Sequence, residues 1–263
     1  MTFTTLDCQL REGVAWITLA RPERFNALDS IMARELAEVA NRCSSDRSVR
    51  AAVITGSGEQ AFCAGGDVSV FAERLDDIQL LVMEMTTQLH AAVSRFARMR
   101  APLIAAVNGV AAGAGFSLVT ACDLALAADH ASFTSAYTRI GLTPDGSSTA
   151  TLARLVGPRR AMELYLTNRT LSAAEALEWG VVNSVVPAAE LAAEAEALAR
   201  RLAAGPTGAF GGVKALLQNA ATESLETQME LESRQIAAAG ASQDGREGIR
   251  AFVEKRAPRF TGQ

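Results

Sequence analysis

The stretch Val107–Leu118, VNGVAAGAGFSL, sits inside a run from Ala101 to Cys122 that carries no charge at all. A run of that length can be a membrane span, which needs about 20 apolar residues, or a buried part of a core. Pro102, the turn pair Asn108-Gly109, Gly113 and Gly115 interrupt it, and large aliphatics are few. A continuous membrane helix is therefore excluded. The pattern predicts instead a buried strand over PLIAAVN, a turn, and a helix opened by the small residues from Gly113 onward. The glycines at that helix start serve either tight helix packing or the close approach of a ligand to bare backbone.

On both sides of this run, strand and helix signals alternate. Leu6 to Leu10 and VAWITLA (Val14 to Ala20) flank a Glu12-Gly13 turn and predict a hairpin. Asp29 or Ser30 caps a helix with apolar positions at Met32, Leu36, Val39, Ala40 and Cys43, and AAVITG follows as a short buried strand. Ile78, Leu81, Val82, Met85, Leu89, Ala92, Val93 and Phe96 form the stripe of a long amphipathic helix. DLALAA is a further strand. Beyond Ser172 strand signals nearly vanish apart from VVNSVVP, and helical patterns such as LAAEAEALARRLAA dominate. The order defines an α/β core followed by helices.

Composition narrows the function classes. Of the 263 residues, 49% are hydrophobic and 21% charged, as in a folded soluble protein. A net charge of -4, with the arginines scattered, argues against a basic face for nucleic acid or an anionic membrane. Cys8, Cys43, Cys63 and Cys122 have neither zinc-site nor disulfide-framework spacing, so no metal is expected. MTFTTLDCQLREG has no secretory pattern, and a cytoplasmic protein is expected.

Three stretches, RPERFNALD, AFCAGGDV (Ala61 to Val68) and APLIAAVNGVAAGAGFSL, together resemble the crotonase (enoyl-CoA hydratase/isomerase) superfamily. The resemblance continues in order through DLALAADHASFTSAYTRIGLTPDGSS and LEWGVVNSVV to GREGIRAFVEKRAPRFTG. It implies a spiral of ββα units over residues 1–195. It also implies a helical region, residues 196–263, that builds homotrimers, in some members paired into hexamers. The substrates implied are acyl-CoA thioesters, with coenzyme A as part of the substrate and no permanently bound cofactor.

By motif position the resemblance makes the backbone N-H groups of Gly66 and Ala114 the donors to a thioester enolate oxygen. It gives Arg24 to the CoA phosphates, and the backbone around Ala27, Ala64, Asp67 and Val68 to adenine and pantetheine. Phe252 and Lys255 would close the site, in some members from a neighbouring subunit. Where hydratases of the family carry two glutamates, this chain has Ser117 and Tyr137. Neither is a carboxylate base near neutral pH, since the phenol's ordinary pKa is about 10.

The acid that remains is Asp145, in GLTPDGSS. It is either a turn residue after Pro144 or the single acid/base of an isomerase, in the manner of the ring-opening isomerases of phenylacetate degradation. A rival pattern, His90 with Tyr137 and Asp145, resembles 4-chlorobenzoyl-CoA dehalogenases. There the aspartate attacks the ring, the histidine activates water, and the aromatic residue lines a benzoyl pocket. A third possibility is a CoA-binding member without chemistry. His130, after Asp129 at a strand end, reads as a surface residue.

Overall fold

The computed structural model describes residues 3–263. Strands β1 (Leu6–Arg11) and β2 (Val14–Leu19) form the expected antiparallel hairpin. Helix α1 (Ser30–Ser45) follows, its first turn capped by the Asp29 carboxylate, which accepts from Met32 N. From β3 (Ala51–Gly56) onward the chain repeats one unit: a strand in a large sheet, a strand in a small sheet, then helix. The first unit is β3, β4 (Ala61–Cys63), α2 (Val68–Glu73) and α3 (Ile78–Arg98). The second is β5 (Leu103–Val107), β6 (Val110–Ala112) and α4 (Ala114–Ala121). The third is β7 (Leu124–Ala128), β8 (Ser132–Thr134), α5 (Ser148–Val156) and α6 (Pro158–Thr167). Strand β9 (Thr170–Ser172), α7 (Ala173–Glu178) and β10 (Ser184–Val186) finish the two sheets.

The six-stranded sheet has the order β1-β2-β3-β5-β7-β10, and the four-stranded sheet β4-β6-β8-β9. Each unit is laid parallel beside the one before it, which is the ββα spiral of the crotonase fold. The uncharged run therefore contains two strands, not one. Residues 110–112 form β6, where sequence reading expected only a turn before the helix. Three residues are too few to show a period of two.

All five residues of β5 are buried because the large sheet is covered on both faces. Leu103, Ala105 and Val107 face the main core with Phe62, Phe96 and Phe133. Ile104 and Ala106 face the other way, onto α8 (Leu191–Ala203), through Leu191, Ala195, Ala199 and Ala203. The boundary expected between residues 195 and 196 thus falls within a helix whose buried face runs across it. The large sheet's cover extends to Ala203.

Helices α9 (Thr207–Asn219), α10 (Leu225–Ala241) and α11 (Gln243–Val253) complete the chain. Helix α9 is tied to the spiral by buried Lys214. Its ammonium lies 2.6 Å from the Asp123 carboxylate and donates to the carbonyls of Phe96 and Ala101 at 3.0 and 3.1 Å. Helix α10 buries no residue of its own, and Leu217, Leu225, Ile236, Phe252 and Val253 project from this region largely exposed. Among the described residues no helix is long and apolar enough to cross a membrane.

Candidate active site

The two glycine-bearing loops that the motifs single out meet at the heart of the molecule. After β4 the chain turns at Gly65 with φ +96°, a region that side chains rarely occupy. A Cβ there would stand 2.9 Å from the Ala112 carbonyl and 3.4 Å from Ala114 N. Gly115 is closer still to its neighbour strand: a Cβ would lie 2.1 Å from the Cys63 carbonyl. The start of α4 can therefore rest directly on the end of β4. Of the two uses that the sequence left open, the tight packing is the one these contacts display.

Backbone pairing leaves two amides at this junction. Leu28 N donates to Gly65 O at 2.7 Å and Asp67 N to Leu28 O at 2.8 Å, so the bridge steps over the Gly66 amide. Gly113 N donates to Thr134 O at 3.1 Å, whereas Ala114 is the first residue of α4, where helix geometry supplies no acceptor to its N-H. Gly66 and Ala114 both line one cavity of about 310 Å³. Its other walls are Val82, Met85, Thr86 and Leu89 from α3, Val68 and Phe71 from α2, and residues between Ala136 and Asp145.

Among the described residues Asp145 is the one carboxylate in that lining, and Arg139 the one cation. The Tyr137 hydroxyl donates to Asp145 Oδ1 at 2.5 Å and lies 2.8 Å from Ser117 Oγ. Burial, with the Asp145 carboxylate beside it, pushes the Tyr137 phenol well above its ordinary range, so it remains a protonated donor. Ser117 is fully buried on α4 and also reaches the Gly113 carbonyl at 3.2 Å. Ser117 and Tyr137 thus form a hydroxyl chain ending on Asp145.

Of the residues expected around CoA, Ala64 and Val68 line the cavity. Arg24 is exposed on the 3-10 turn Pro22–Arg24. The Ala27 backbone is internally committed: its N-H donates to Arg24 O and its carbonyl accepts from Arg21. Phe252 and Lys255 stand exposed and outside the cavity lining of their own chain.

Two expected site residues have other work. The buried Asp67 carboxylate caps α2 by accepting from Ser69 and pairs with Arg21 at 2.9 Å, so its side chain fixes the Gly66 loop. His90 lies outside the cavity lining, and its Nε2 accepts from Gly146 N at 3.1 Å, which pins the loop carrying Asp145 to α3. Sequence reasoning missed Arg21, whose guanidinium holds Asp67, Asp29 (3.4 Å) and the Ala27 carbonyl together beside the Gly66 loop. The only signal was an arginine beside two acids spaced along the first motifs. It also missed Phe71, whose ring tip faces Gly66.

A spiral of ββα units whose cavity joins two bare amides to one carboxylate belongs to the crotonase class. Residues 9–263 match the family model described as enoyl-CoA hydratase/isomerase, and the chain belongs to that family. It is 40% identical to the 1,2-epoxyphenylacetyl-CoA isomerase of Escherichia coli K12, over 97% of each chain. It is 42% identical to 4-chlorobenzoyl coenzyme A dehalogenase-2 of an Arthrobacter species, over 86% of this chain and 82% of that one. The crystal structure of an enoyl-CoA hydratase from Polaromonas sp. JS666 superposes with a TM-score of 0.92 at 32% identity, covering 97% of this chain and 99% of that one.

Proposed function

We propose that the protein isomerises acyl-CoA thioesters, shifting a double bond or rearranging a ring-derived acyl group through an enolate at the thioester oxygen. The observation that carries this reading is the single carboxylate, Asp145, in an otherwise mainly apolar cavity that also holds the Gly66 and Ala114 amides. Asp145 takes a proton from the carbon beside the thioester and returns it farther along the chain. The two amides hold the oxygen on which the charge accumulates, each contributing roughly 3 kcal/mol when preorganised. One carboxylate suffices, because it is regenerated when the proton is delivered. Similarity to an isomerase named for a phenylacetyl-CoA derivative supports the same class of substrate.

Hydration needs a base for water. Ser117 and Tyr137 offer none, since they are hydroxyls that bond to one another. The dehalogenase reading asks His90 to activate water, yet its Nε2 lone pair is already taken by the Gly146 amide. A panel of acyl-CoAs separates the readings. A 3-enoyl-CoA should rearrange to the 2-enoyl-CoA, crotonyl-CoA should hydrate very slowly, and 4-chlorobenzoyl-CoA should release no halide. Hydration near the usual enzymatic turnover of about 10 per second without double-bond migration would overturn the proposal. Halide release would favour the dehalogenase, and silence on all three a member without chemistry.

CoA itself should run past Ala64 and Val68 toward Arg24. Phe252 and Lys255 lie outside their own chain's cavity lining, so they would reach CoA from a neighbouring subunit. The exposed Leu217, Leu225, Ile236 and Val253 supply apolar surface for that contact. The assembly should therefore be a homotrimer or a pair of trimers. Sedimentation at micromolar concentration checks this, and a monomer there counts against it.

A further inference from the structure

We infer that Tyr137 is a positioning residue: its hydrogen bond occupies Oδ1 of Asp145 and leaves Oδ2 as the only oxygen that both takes and returns the substrate proton. This rests on the isomerase reading of Asp145. The carboxylate sits in a loop between Gly141 at φ +76° and Gly146 at φ +61°. A lone side chain there would be free to turn about its own bonds. Two contacts prevent it. His90 on α3 accepts from the Gly146 amide at 3.1 Å, which fixes the backbone immediately after Asp145. The Tyr137 hydroxyl, 2.5 Å from Oδ1, fixes the carboxylate itself.

Tyr137 is in turn held. Its one hydroxyl proton goes to Asp145, so the 2.8 Å contact with Ser117 has Ser117 as donor and the phenol oxygen as acceptor. Ser117 belongs to the first turns of α4, and its N-H donates to the Gly113 carbonyl at 2.9 Å, next to the Ala114 amide. The reacting carboxylate and the oxyanion donor are thus built on one hydrogen-bonded frame, and their separation is set by the protein rather than by the substrate. A proton lifted from the carbon beside the thioester rests on Oδ2, the dienolate charge rests at the thioester oxygen, and the same proton returns to the distal carbon. Asp145 ends as it began, a carboxylate.

The test is Tyr137→Phe, which keeps the ring in the cavity wall and deletes only the hydroxyl. With a 3-enoyl-CoA deuterated beside the thioester and reacted in ordinary water, the parent should carry part of the label to the distal carbon. In the variant the carboxyl group turns freely and its proton meets water. The carried fraction should fall severalfold, kcat should drop roughly 10- to 100-fold, as misplacement of a catalytic group does, and KM should stay near the parental value. Ser117→Ala should move the carried fraction in the same direction by less.

A merely structural tyrosine would lower activity through the amount of folded enzyme and leave the fraction carried per turnover unchanged. That result, or a parental kcat in Tyr137→Phe, overturns the inference. Asp145→Asn keeps the two questions apart. If it is inactive while Tyr137→Phe carries label as the parent does, only the positioning role fails. If it is fully active, the isomerase reading itself fails.

Discussion

Asp145→Asn is expected to bind acyl-CoA as the parent does and to lose isomerisation by roughly 10²- to 10⁴-fold, the usual contribution of a positioned acid/base. The amide is nearly the same size as the carboxylate, so the cavity keeps its shape. Its oxygen can still accept from the Tyr137 hydroxyl, which the structure places on Oδ1. What the amide cannot do is take a proton from carbon and hold it. The loss should therefore fall on kcat, with CoA affinity, measured by calorimetry, unchanged. A variant that isomerises a 3-enoyl-CoA at the parental rate removes Asp145 from the chemistry, and the turn role after Pro144 is then its whole function.

His90→Gln sharpens the comparison. Glutamine offers an oxygen to the Gly146 amide in place of Nε2, so the loop stays anchored. Most activity should survive if Asp145 shuttles a proton. A stalled covalent ester on Asp145, seen as added mass after a halobenzoyl-CoA, is what a histidine base would leave behind.

Long periodic elements were legible in the sequence and short ones were not. Of the stripe read on α3, Leu81, Met85, Leu89, Ala92, Val93 and Phe96 are buried and Ile78 and Val82 half-buried, a pattern legible because twenty-one residues repeat the period several times. The strands β4, β6, β8 and β9 have three residues each, too few to display alternation. The small sheet was therefore visible only through the family resemblance.

At the site, the motif order marked Gly66 and Ala114, since glycines around a helix start have few explanations. The bond from Tyr137 to Asp145 was not legible, although only eight residues separate them. Their side chains meet because a 3-10 turn over Thr138–Ile140 and a left-handed Gly141 fold the loop back. For His90, a base only in the rival dehalogenase pattern, nothing local shows that an amide 56 positions away takes its lone pair. The pairing of the Asp67 carboxylate was equally hidden, its partner Arg21 lying 46 positions upstream.

Gly66→Pro should lower turnover by roughly 10²- to 10³-fold, the loss expected for one oxyanion donor. Proline has no N-H, and the bridge to Leu28 does not use the Gly66 amide, so its removal breaks no backbone pairing already present. Steric change must be separated from loss of the donor, because a Cβ at this position would stand 2.8 Å from the tip of the Phe71 ring. Gly66→Ala supplies that control: it adds the same Cβ, keeps the N-H, and meets only the far end of a side chain that can tilt. The alanine variant should retain most activity and the proline variant little, with CoA binding measured beside both, since a proline here would also restrict the turn at Gly65. Equal losses in the two variants would assign the effect to Phe71 and the shape of the cavity. Unchanged turnover in the proline variant would dissolve the oxyanion assignment. The Ala114 amide would then be the only donor left to the thioester oxygen, and one donor at a helix start carries too little of the barrier to sustain an enolate mechanism.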